Sequence, residues 1–336
     1  MRAFVTGGGG FLGAVVTRRL LERGVSVVAL ARSDDAARRI AALEPEADSA
    51  APAATLATVR GDVADAAGLR AAMEGADTVF HVAGVYRIGM KAAERPAMFR
   101  VNVDGTRAVL AAAAAAGAAR IVYVSTVGVF GNTEGRVVDE TYERPDRAFV
   151  SYYDETKFLA HQIAQDRADA GAPVVIVQPG AIYGPGDDSE LGAQIEQARL
   201  GKYRMRMFPG LGLTMSYVDD VAAGVVVAAE KGRPAEVYVL GGEVARLGDV
   251  LDRVADLAGH RRARVTLPTA VIRAVTPLGT VIGRLTGVGP DLREAVRASD
   301  GVTYWASSEK AKRELGYAPR ALNEGLRDLL GTGPPG

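Results

Sequence analysis

The glycines at positions 7 to 10 and 13 constrain this chain more than any other feature. The run Thr6-Gly7-Gly8-Gly9-Gly10-Phe11-Leu12-Gly13 follows the apolar stretch Ala3 to Val5 and leads into an amphipathic segment from Leu12 to Arg23. Gly7, Gly10 and Gly13 keep the spacing G-x-x-G-x-x-G. Between a strand and a helix, the first permits a tight turn, the second lets backbone approach a bound group, and the third lets helix pack on strand. A helix beginning there aims its unpaired N–H groups and positive dipole end at the ligand, so a dinucleotide pyrophosphate is the expected occupant. Taken alone, the glycines also fit a turn that binds nothing.

Strand-length apolar runs recur along the first half: Ala3 to Val5, Val25 to Leu30, Leu56 to Val59, Thr78 to Val82, Ile121 to Val124 and Val174 to Val177. They lack polar alternation, as strands covered on both faces do. Helical segments lie between them at Leu12 to Arg23, Ala36 to Leu43, Ala66 to Met73, Ala97 to Ala116 and Tyr153 to Ala168. This alternation predicts an α/β fold, a Rossmann-type doubly wound parallel sheet. The rhythm breaks at the Gly/Pro-rich stretch Pro179 to Asp188, then resumes with a helix at Tyr217 to Glu230 and a strand at Val237 to Leu240. The expected organisation is a dinucleotide-binding domain over 1–180 and 215–245, and a smaller, discontinuous C-terminal substrate domain over 181–214 and 246–330. Helices are expected near Leu247 to Ala258, Ala270 to Leu285 and Ser307 to Leu315, and a frayed tail over 331–336.

Composition removes several function classes. The 40 Lys and Arg balance the 40 Asp and Glu, which argues against nucleic acid and acidic membrane surfaces as partners. With no cysteine, the chain has no disulfide, no thiolate nucleophile and no Cys-ligated metal. The longest uncharged apolar stretch, Ala108 to Ala119, is too short to span a bilayer. No secretory signal is legible at the start, so a cytoplasmic protein with a small-molecule partner is expected.

The second strand runs into Ala31-Arg32-Ser33, with Arg38 and Arg39 on the next helix. A carboxylate at that strand end would serve the ribose hydroxyls of NAD, whereas a cation suits the 2′-phosphate of NADP. Arg32 therefore points to NADP(H) as the preferred cofactor. The other reading makes Arg32 a solvated residue and gives Asp34 or Asp35 to NAD(H). Asp62 and Val63, after the third strand, suit an adenine contact or a plain turn.

Tyr153 and Lys157 stand four residues apart on one helical face, in Ser151-Tyr152-Tyr153-Asp154-Glu155-Thr156-Lys157. A phenol is a poor base at neutral pH, but a nearby ammonium and a cationic nicotinamide favour phenolate, so Tyr153 can exchange a proton with a substrate oxygen. Beyond the strand Ile121 to Val124 lie Ser125 and Thr126, where this fold places ligand contacts. The Thr126 hydroxyl can polarise a carbonyl. Either hydroxyl also suits a strand-end cap.

The set of motifs resembles the extended short-chain dehydrogenase/reductase family, also called the NAD-dependent epimerase/dehydratase family. Thr6 to Gly13 resembles its phosphate loop, Tyr153 with Lys157 its YxxxK pair and Thr126 its catalytic Ser/Thr. Further matches are Gly61-Asp62-Val63, His81-Val82-Ala83-Gly84, Asn102 to Thr106, Pro179-Gly180, Tyr217 to Ala222 and Glu314 to Tyr317. The resemblance implies Thr126, Tyr153 and Lys157 as catalytic residues. It implies cofactor contacts at Gly7, Gly9, Gly10, Phe11, Leu12, Arg32, Asp62, Val63, Val82, Ala83, Gly84, Asn102, Ser125, Tyr153, Lys157, Pro179 and Ile182. A homodimer built on Ala97 to Ala116 and Tyr153 to Ala168 is implied too.

Within the family the chain is most similar to dihydroflavonol-reductase-like proteins, including those labelled hopanoid-associated sugar epimerases, through His81 to Tyr86 and Val237 to Gly242. Val127-Gly128 replace the Asp-Glu that dehydratases carry after the catalytic Thr. Uncharged Leu211 to Ser216 replace the segment where many nucleotide-sugar epimerases carry an Arg, although Arg204 and Arg206 lie nearby. Plant dihydroflavonol reductases hold their substrate with an Asn where this chain has Gly131. The expected activity is oxidoreduction between a ketone or aldehyde and an alcohol on a small, fairly apolar molecule. The alternatives are a sugar epimerase with bound NAD(P), a 3β-hydroxysteroid dehydrogenase-like enzyme and a non-catalytic NADP-sensing protein.

Tyr86, Thr126, Gly131 and Phe208 are the candidate substrate contacts, with packing the other reading for Tyr86, Phe208 and Trp305. His81, His161 and His260 lack metal-ligand spacing, so no metal site is expected, and His81 reads as a packed histidine. Lys202, Arg204 and Arg206 alternate as on a strand, either as a solvated face or as an anion site.

Overall fold

The computed structural model describes residues 1–44, 54–275 and 292–331. Six strands, β1 (Arg2–Thr6), β2 (Ser26–Ala31), β3 (Leu56–Arg60), β4 (Thr78–His81), β5 (Arg120–Val124) and β6 (Val174–Pro179), alternate with helices. The helices are α1 (Phe11–Glu22), α2 (Asp34–Ala41), α3 (Ala66–Ala72), α4 (Arg95–Phe99), α5 (Gly105–Ala115) and α6 (Tyr152–Asp169). The chain leaves the sheet through β7 (Ala181–Tyr183), α7 (Glu190–Arg199), β8 (Met205–Arg206) and β9 (Gly212–Tyr217). It returns with α8 (Val218–Lys231) and β10 (Val237–Leu240).

Seven strands form one parallel sheet in the order β10-β6-β5-β4-β1-β2-β3. This is a Rossmann-type doubly wound sheet, and its strand order reverses between β1 and β4, where ligands bind in such folds. Both faces are buried, which is why the strands read as continuous apolar runs. Ala3 and Val5 face one core with Val16 and Leu20 of α1 and Val221 and Val225 of α8. Phe4, between them, faces the other with Leu69 of α3, Leu110 of α5 and Ala164 of α6. The alanines of α5 are part of that second core, Ala112 and Ala113 being buried.

One departure from the sequence expectation bears on the site. The continuous helix expected over Ala97 to Ala116 is broken by a π-helical turn at Arg100–Asp104, between α4 and α5. A π turn adds a residue to the helical repeat and rotates the side chains before it. Gly105 follows at a crowded spot, since a Cβ there would lie 2.8 Å from Val63 Cγ2. The strand expected over the basic run shrinks to β8, because only Met205 and Arg206 find a partner, in β12 (Val265–Thr266).

A second sheet builds the smaller lobe. β9 pairs with β7, with β11 (Val244–Arg246) and with β13 (Thr303–Tyr304). Tyr183, Met215, Tyr217, Leu251, Val254 and Leu326 are in its core, with α9 (Leu247–Leu257) and α13 (Leu322–Leu330). Further described helices are α10 (Thr269–Val275), α11 (Leu292–Ser299) and α12 (Glu309–Leu315). The helix expected over Ala270 to Leu285 is described only as far as Val275. All of the expected tail except Gly331 lies outside the described residues.

The tightest point of the fold is α1 against the loop before it. A Cβ on Gly13 would lie 2.0 Å from the Gly7 carbonyl oxygen, and both partners are backbone. Gly13→Ala is therefore expected to cost about 1–3 kcal/mol or more, measured by denaturant unfolding, and to abolish dinucleotide binding. Unchanged stability and binding would contradict this packing.

Candidate functional site

The loop after β1 forms a cradle. Gly7 has φ +76°, and a Cβ on it would meet Ala83 N at 2.8 Å, so the glycine loop lies against the segment that leaves β4. Around Gly10 only the Gly7 oxygen, at 3.3 Å, would stand within 4 Å of an added Cβ. Gly10 is also the N-cap of α1, and no side chain caps that helix end. Uncapped amides, a positive dipole end and an open approach at Gly10 fit a pyrophosphate. Phe11 and Leu12 open the helix, with Leu12 buried. α2 closes over the loop, where Arg39 Nε donates to the Gly9 carbonyl at 2.9 Å.

Arg32 is exposed just past the end of β2. Ser33 caps α2 by accepting from Ala36 N. Asp34 pairs with Arg60 at 3.3 Å and Asp35 pairs with Arg38, so both carboxylates weighed for an NAD ribose have cationic neighbours. Asp62 accepts from Ala64 N and from Arg100 Nη1, each a contact that braces a turn, while Val63 packs into the core beside Gly105.

Beneath the crevice between β1 and β4 lies a buried polar chain. Thr6 Oγ1 bonds to His81 Nδ1 at 2.8 Å, and His81 Nε2 bonds to Thr106 Oγ1 at 3.0 Å. Thr106 itself donates to the Asn102 carbonyl at 2.7 Å, so its oxygen accepts from His81 and the imidazole carries its proton on Nε2. Thr6 Oγ1 also accepts from Ala83 N, holding the wall of Val82, Ala83 and Gly84. His81 stacks on Tyr123 at 5.6 Å, and the Tyr123 hydroxyl has Thr106 and Ser125 as polar neighbours. His81 is thus a packed histidine. Burial, with Lys157 adding to it, lowers its pKa from 6.5 to about 3.

The π turn puts Asn102 to use. Its amide accepts from Val85 N at 2.7 Å and donates to Val85 O and Thr156 Oγ1, both at 3.0 Å. Asn102 thereby ties the loop after β4 to helix α6. Ser125 is likewise occupied, bonding to His161 Nδ1 at 3.0 Å.

Of the three residues expected to react, Thr126 and Tyr153 come together, and Lys157 lies one turn further along α6. Lys157 is buried on α6 and donates to Val124 O at 3.0 Å and more weakly to the Tyr123 hydroxyl at 3.5 Å. Its burial lowers the ammonium pKa to about 8. Thr126 Oγ1 accepts from Gly128 N at 3.1 Å and neighbours the Tyr153 phenol. Burial pushes Tyr153 well above the ordinary phenol range despite that neighbour, so the phenol is protonated at neutral pH. Tyr86 meets Tyr153 edge-on at 4.7 Å and is half exposed at the mouth of the cleft.

Residues that sequence reasoning passed over hold this group in place. Arg144 chelates Asp154 through both nitrogens at 2.8 and 2.9 Å and donates to Asp146 O and Ala148 O. The pair is almost wholly buried, and the guanidinium lies 4.6 Å over Phe149. Asp154 stands beside Tyr153 in the motif, but a carboxylate in a first helical turn is so ordinary that it gives no signal of burial. Gly131, with φ +72°, would place a Cβ 3.0 Å from Arg144 Cζ, so the guanidinium fills the space of a side chain there. Pro179 ends β6 and Ile182 lies in β7, while Phe208, at φ +46°, turns the loop between β8 and β9. Among the described residues, no group of three His, Cys, Asp or Glu is placed to hold a metal, and no helix is long and apolar enough to cross a membrane.

Comparison with known proteins gives the family and the fold. The model of the NAD dependent epimerase/dehydratase family matches residues 3–241. A 4-hydroxy-2-methyl-3-oxo-4-farnesyl-3,4-dihydroquinoline-1-oxide ketoreductase of Stigmatella aurantiaca is 35% identical over 100% of this chain and 98% of its own. A 2-alkyl-3-oxoalkanoate reductase of Stenotrophomonas maltophilia is 30% identical over 98% of both. The structure of a Bacillus cereus UDP-glucuronic acid 4-epimerase with UDP-glucuronic acid and NAD superposes with a TM-score of 0.76, at 21% identity, over 99% of this chain and 98% of that one, a likeness of fold.

His81 makes the apo-protein sensitive to acid. Between pH 6.5 and about 3 the unfolded chain binds a proton that the folded one refuses, so stability rises with pH through that window and is lost as pH falls. In urea unfolding, His81→Gln should flatten this slope by about one proton, ~1.4 kcal/mol per pH unit. An unaltered slope would show that His81 is charged when buried.

Proposed function

The chain belongs to the NAD-dependent epimerase/dehydratase family and is an NAD(P)-dependent oxidoreductase of the extended short-chain dehydrogenase/reductase type; from that premise we propose an NADP(H)-preferring carbonyl reductase acting on a small, fairly apolar ketone or aldehyde. The observation that carries this reading is that Thr126, beyond the end of β5, and Tyr153, on α6, are neighbours, with Lys157 buried one turn further along α6 and bonded to Val124 O. Thr126 keeps a proton to donate, because its oxygen already accepts from Gly128. That hydroxyl holds the substrate carbonyl and stabilises the growing alkoxide. When bound, the reduced nicotinamide supplies hydride to the carbonyl carbon. The Tyr153 O–H gives its proton to the substrate oxygen, and the Lys157 ammonium stabilises the phenolate left behind. Oxidation of an alcohol is the same sequence reversed.

The division of labour follows the lobes: residues 1–180 and 215–245 hold the cofactor, and residues 181–214 and 246–330 shape the substrate pocket. Gly7, Gly9, Gly10, Phe11 and Leu12 receive the pyrophosphate. Val82, Ala83, Gly84, Asn102, Ser125, Pro179 and Ile182 form the walls, and Asp62 with Val63 the adenine end. Tyr86 and Phe208 contribute aromatic surface. An apolar substrate suits this reading because the segment Leu211 to Ser216 carries no charge and Arg206 is tied to Asp252, which leaves exposed Arg204 as the remaining candidate partner for a sugar-nucleotide diphosphate. NADP(H) is favoured over NAD(H) because Asp34 and Asp35 are paired with arginines while Arg32 is exposed past the strand end. A cytoplasmic homodimer joined through α5 and α6 fits the half-buried Phe158, Leu159 and Ile163 on α6.

Two variants test the reading. Arg32→Ala should weaken NADPH binding ~10-fold or more, as loss of a charge-assisted phosphate bond does, and leave NADH nearly unchanged in fluorescence titration. Equal effects on both nucleotides would contradict the preference. In a panel of ketones monitored by NADPH consumption, Tyr153→Phe should lower kcat ~10²–10⁴-fold while cofactor binding persists. Turnover retained by the variant refutes the proton-donor role, and tightly bound nucleotide without net consumption favours an epimerase.

A further inference from the structure

Helix α6 begins one residue before Tyr153, and its first N–H groups need acceptors. One comes from nearby sequence: Ser151 Oγ accepts from Asp154 N at 3.1 Å, while the Asp154 carboxylate turns back to accept from Val150 N, ahead of the helix, at 3.1 Å. Another comes from the far end of the chain. Glu294, on α11 of the smaller lobe, accepts from Tyr152 N through Oε1 at 2.8 Å. Its other oxygen lies 3.5 Å from Arg95 of α4, whose guanidinium sits 5.0 Å over the Tyr152 ring.

Glu294 has no exposed surface, whereas the Arg95 side chain is 37% exposed. Burying a carboxylate costs desolvation that hydrogen bonds and opposite charge must offset. A helix N-terminus compensates a carboxylate through its dipole and its free N–H, and Glu294 meets both at Tyr152. The same C-terminal segment carries Tyr304, on β13, whose hydroxyl donates to Ala298 O on α11 at 3.3 Å. The smaller lobe thus reaches the start of helix α6 through Glu294.

We infer that Glu294 is a positioning residue for Tyr153: docking of α11 through the Glu294–Tyr152 N–H bond sets the first turn of α6, so the smaller lobe completes the catalytic geometry. The role rests on Tyr153 being the proton donor proposed above. It places substrate binding, which is shaped by that lobe, and phenol alignment on one mechanical connection. Misplacement of a reacting group by about 1 Å can cost ~100-fold in rate, so a single hydrogen bond at this position matters.

Hydrogen–deuterium exchange of the nucleotide-free protein, read by mass spectrometry on the peptide spanning 150–157, tests the connection without any substrate. Glu294→Ala should exchange there ~10-fold faster than the parent, while the peptide spanning 221–231 of α8 stays unchanged. Glu294→Gln keeps an acceptor for Tyr152 N and should restore slow exchange. With a ketone found active in the panel above, Glu294→Ala should lose kcat ~10-fold or more at an unchanged KM for NADPH, and Glu294→Gln should recover most of it. If Glu294→Ala does not fold, Glu294→Asp keeps the charge beside Arg95 but falls short of Tyr152 N, and takes its place with the same expected losses. Unchanged exchange at 150–157, raised exchange with unaltered kcat, or a Gln variant as impaired as Ala each overturns the inference. Wild-type protein inactive on every ketone defeats the reductase reading, and the exchange result still decides the connection.

Discussion

The carbonyl of Gly7 occupies the space where any side chain at position 13 would stand. That contact lets α1 begin directly at the end of β1, with uncapped amides facing the crevice between β1 and β4. The rest of the site is arranged around this crevice. Ala83 rests against Gly7, Thr6 holds both Ala83 and His81, and His81 reaches Thr106 at the start of α5. A residue larger than glycine at 7 or 13 would push the first strand, the first helix and the β4 exit apart together.

The polar chain from Thr6 to Tyr123 solves a problem created by burying Lys157. An ammonium in that environment needs acceptors, and Val124 O and the Tyr123 hydroxyl supply them. Thr106, beside that hydroxyl, holds His81 in a defined tautomer. Each member is satisfied by the next, which is the condition under which buried polar networks rigidify a site. Keeping His81 neutral also avoids a second positive charge close to Lys157.

Around the catalytic helix, charge is used for placement. Arg144 gathers the loop before α6 onto Asp154 through four hydrogen bonds, with Phe149 covering the guanidinium. Breaking a buried pair leaves an uncompensated charge, so such pairs hold their geometry firmly. Tyr153 adjoins Asp154 in sequence and the Thr126 hydroxyl in space. Its elevated pKa follows first from burial.

Local and periodic features determined much of this protein from sequence. The strand runs, the glycine loop and the i, i+4 pairing of Tyr153 with Lys157 are short-range patterns, and steric and helical geometry act on them without knowledge of the remainder of the chain. Val237–Leu240 and the first six strands stand within a residue or two of where their apolar runs put them. Only the tertiary structure decided the roles of Asn102, Ser125, Arg144, Asp154 and Glu294. Each is a polar residue whose sequence neighbours permit a surface position, and each gains its function from a partner brought close by folding. Asn102 depends on a π turn that leaves no compositional trace, and Glu294 on a contact 142 residues away. Burial converts these side chains from solvated groups into constraints, and burial belongs to the assembled sheet and lobes rather than to any local stretch of sequence.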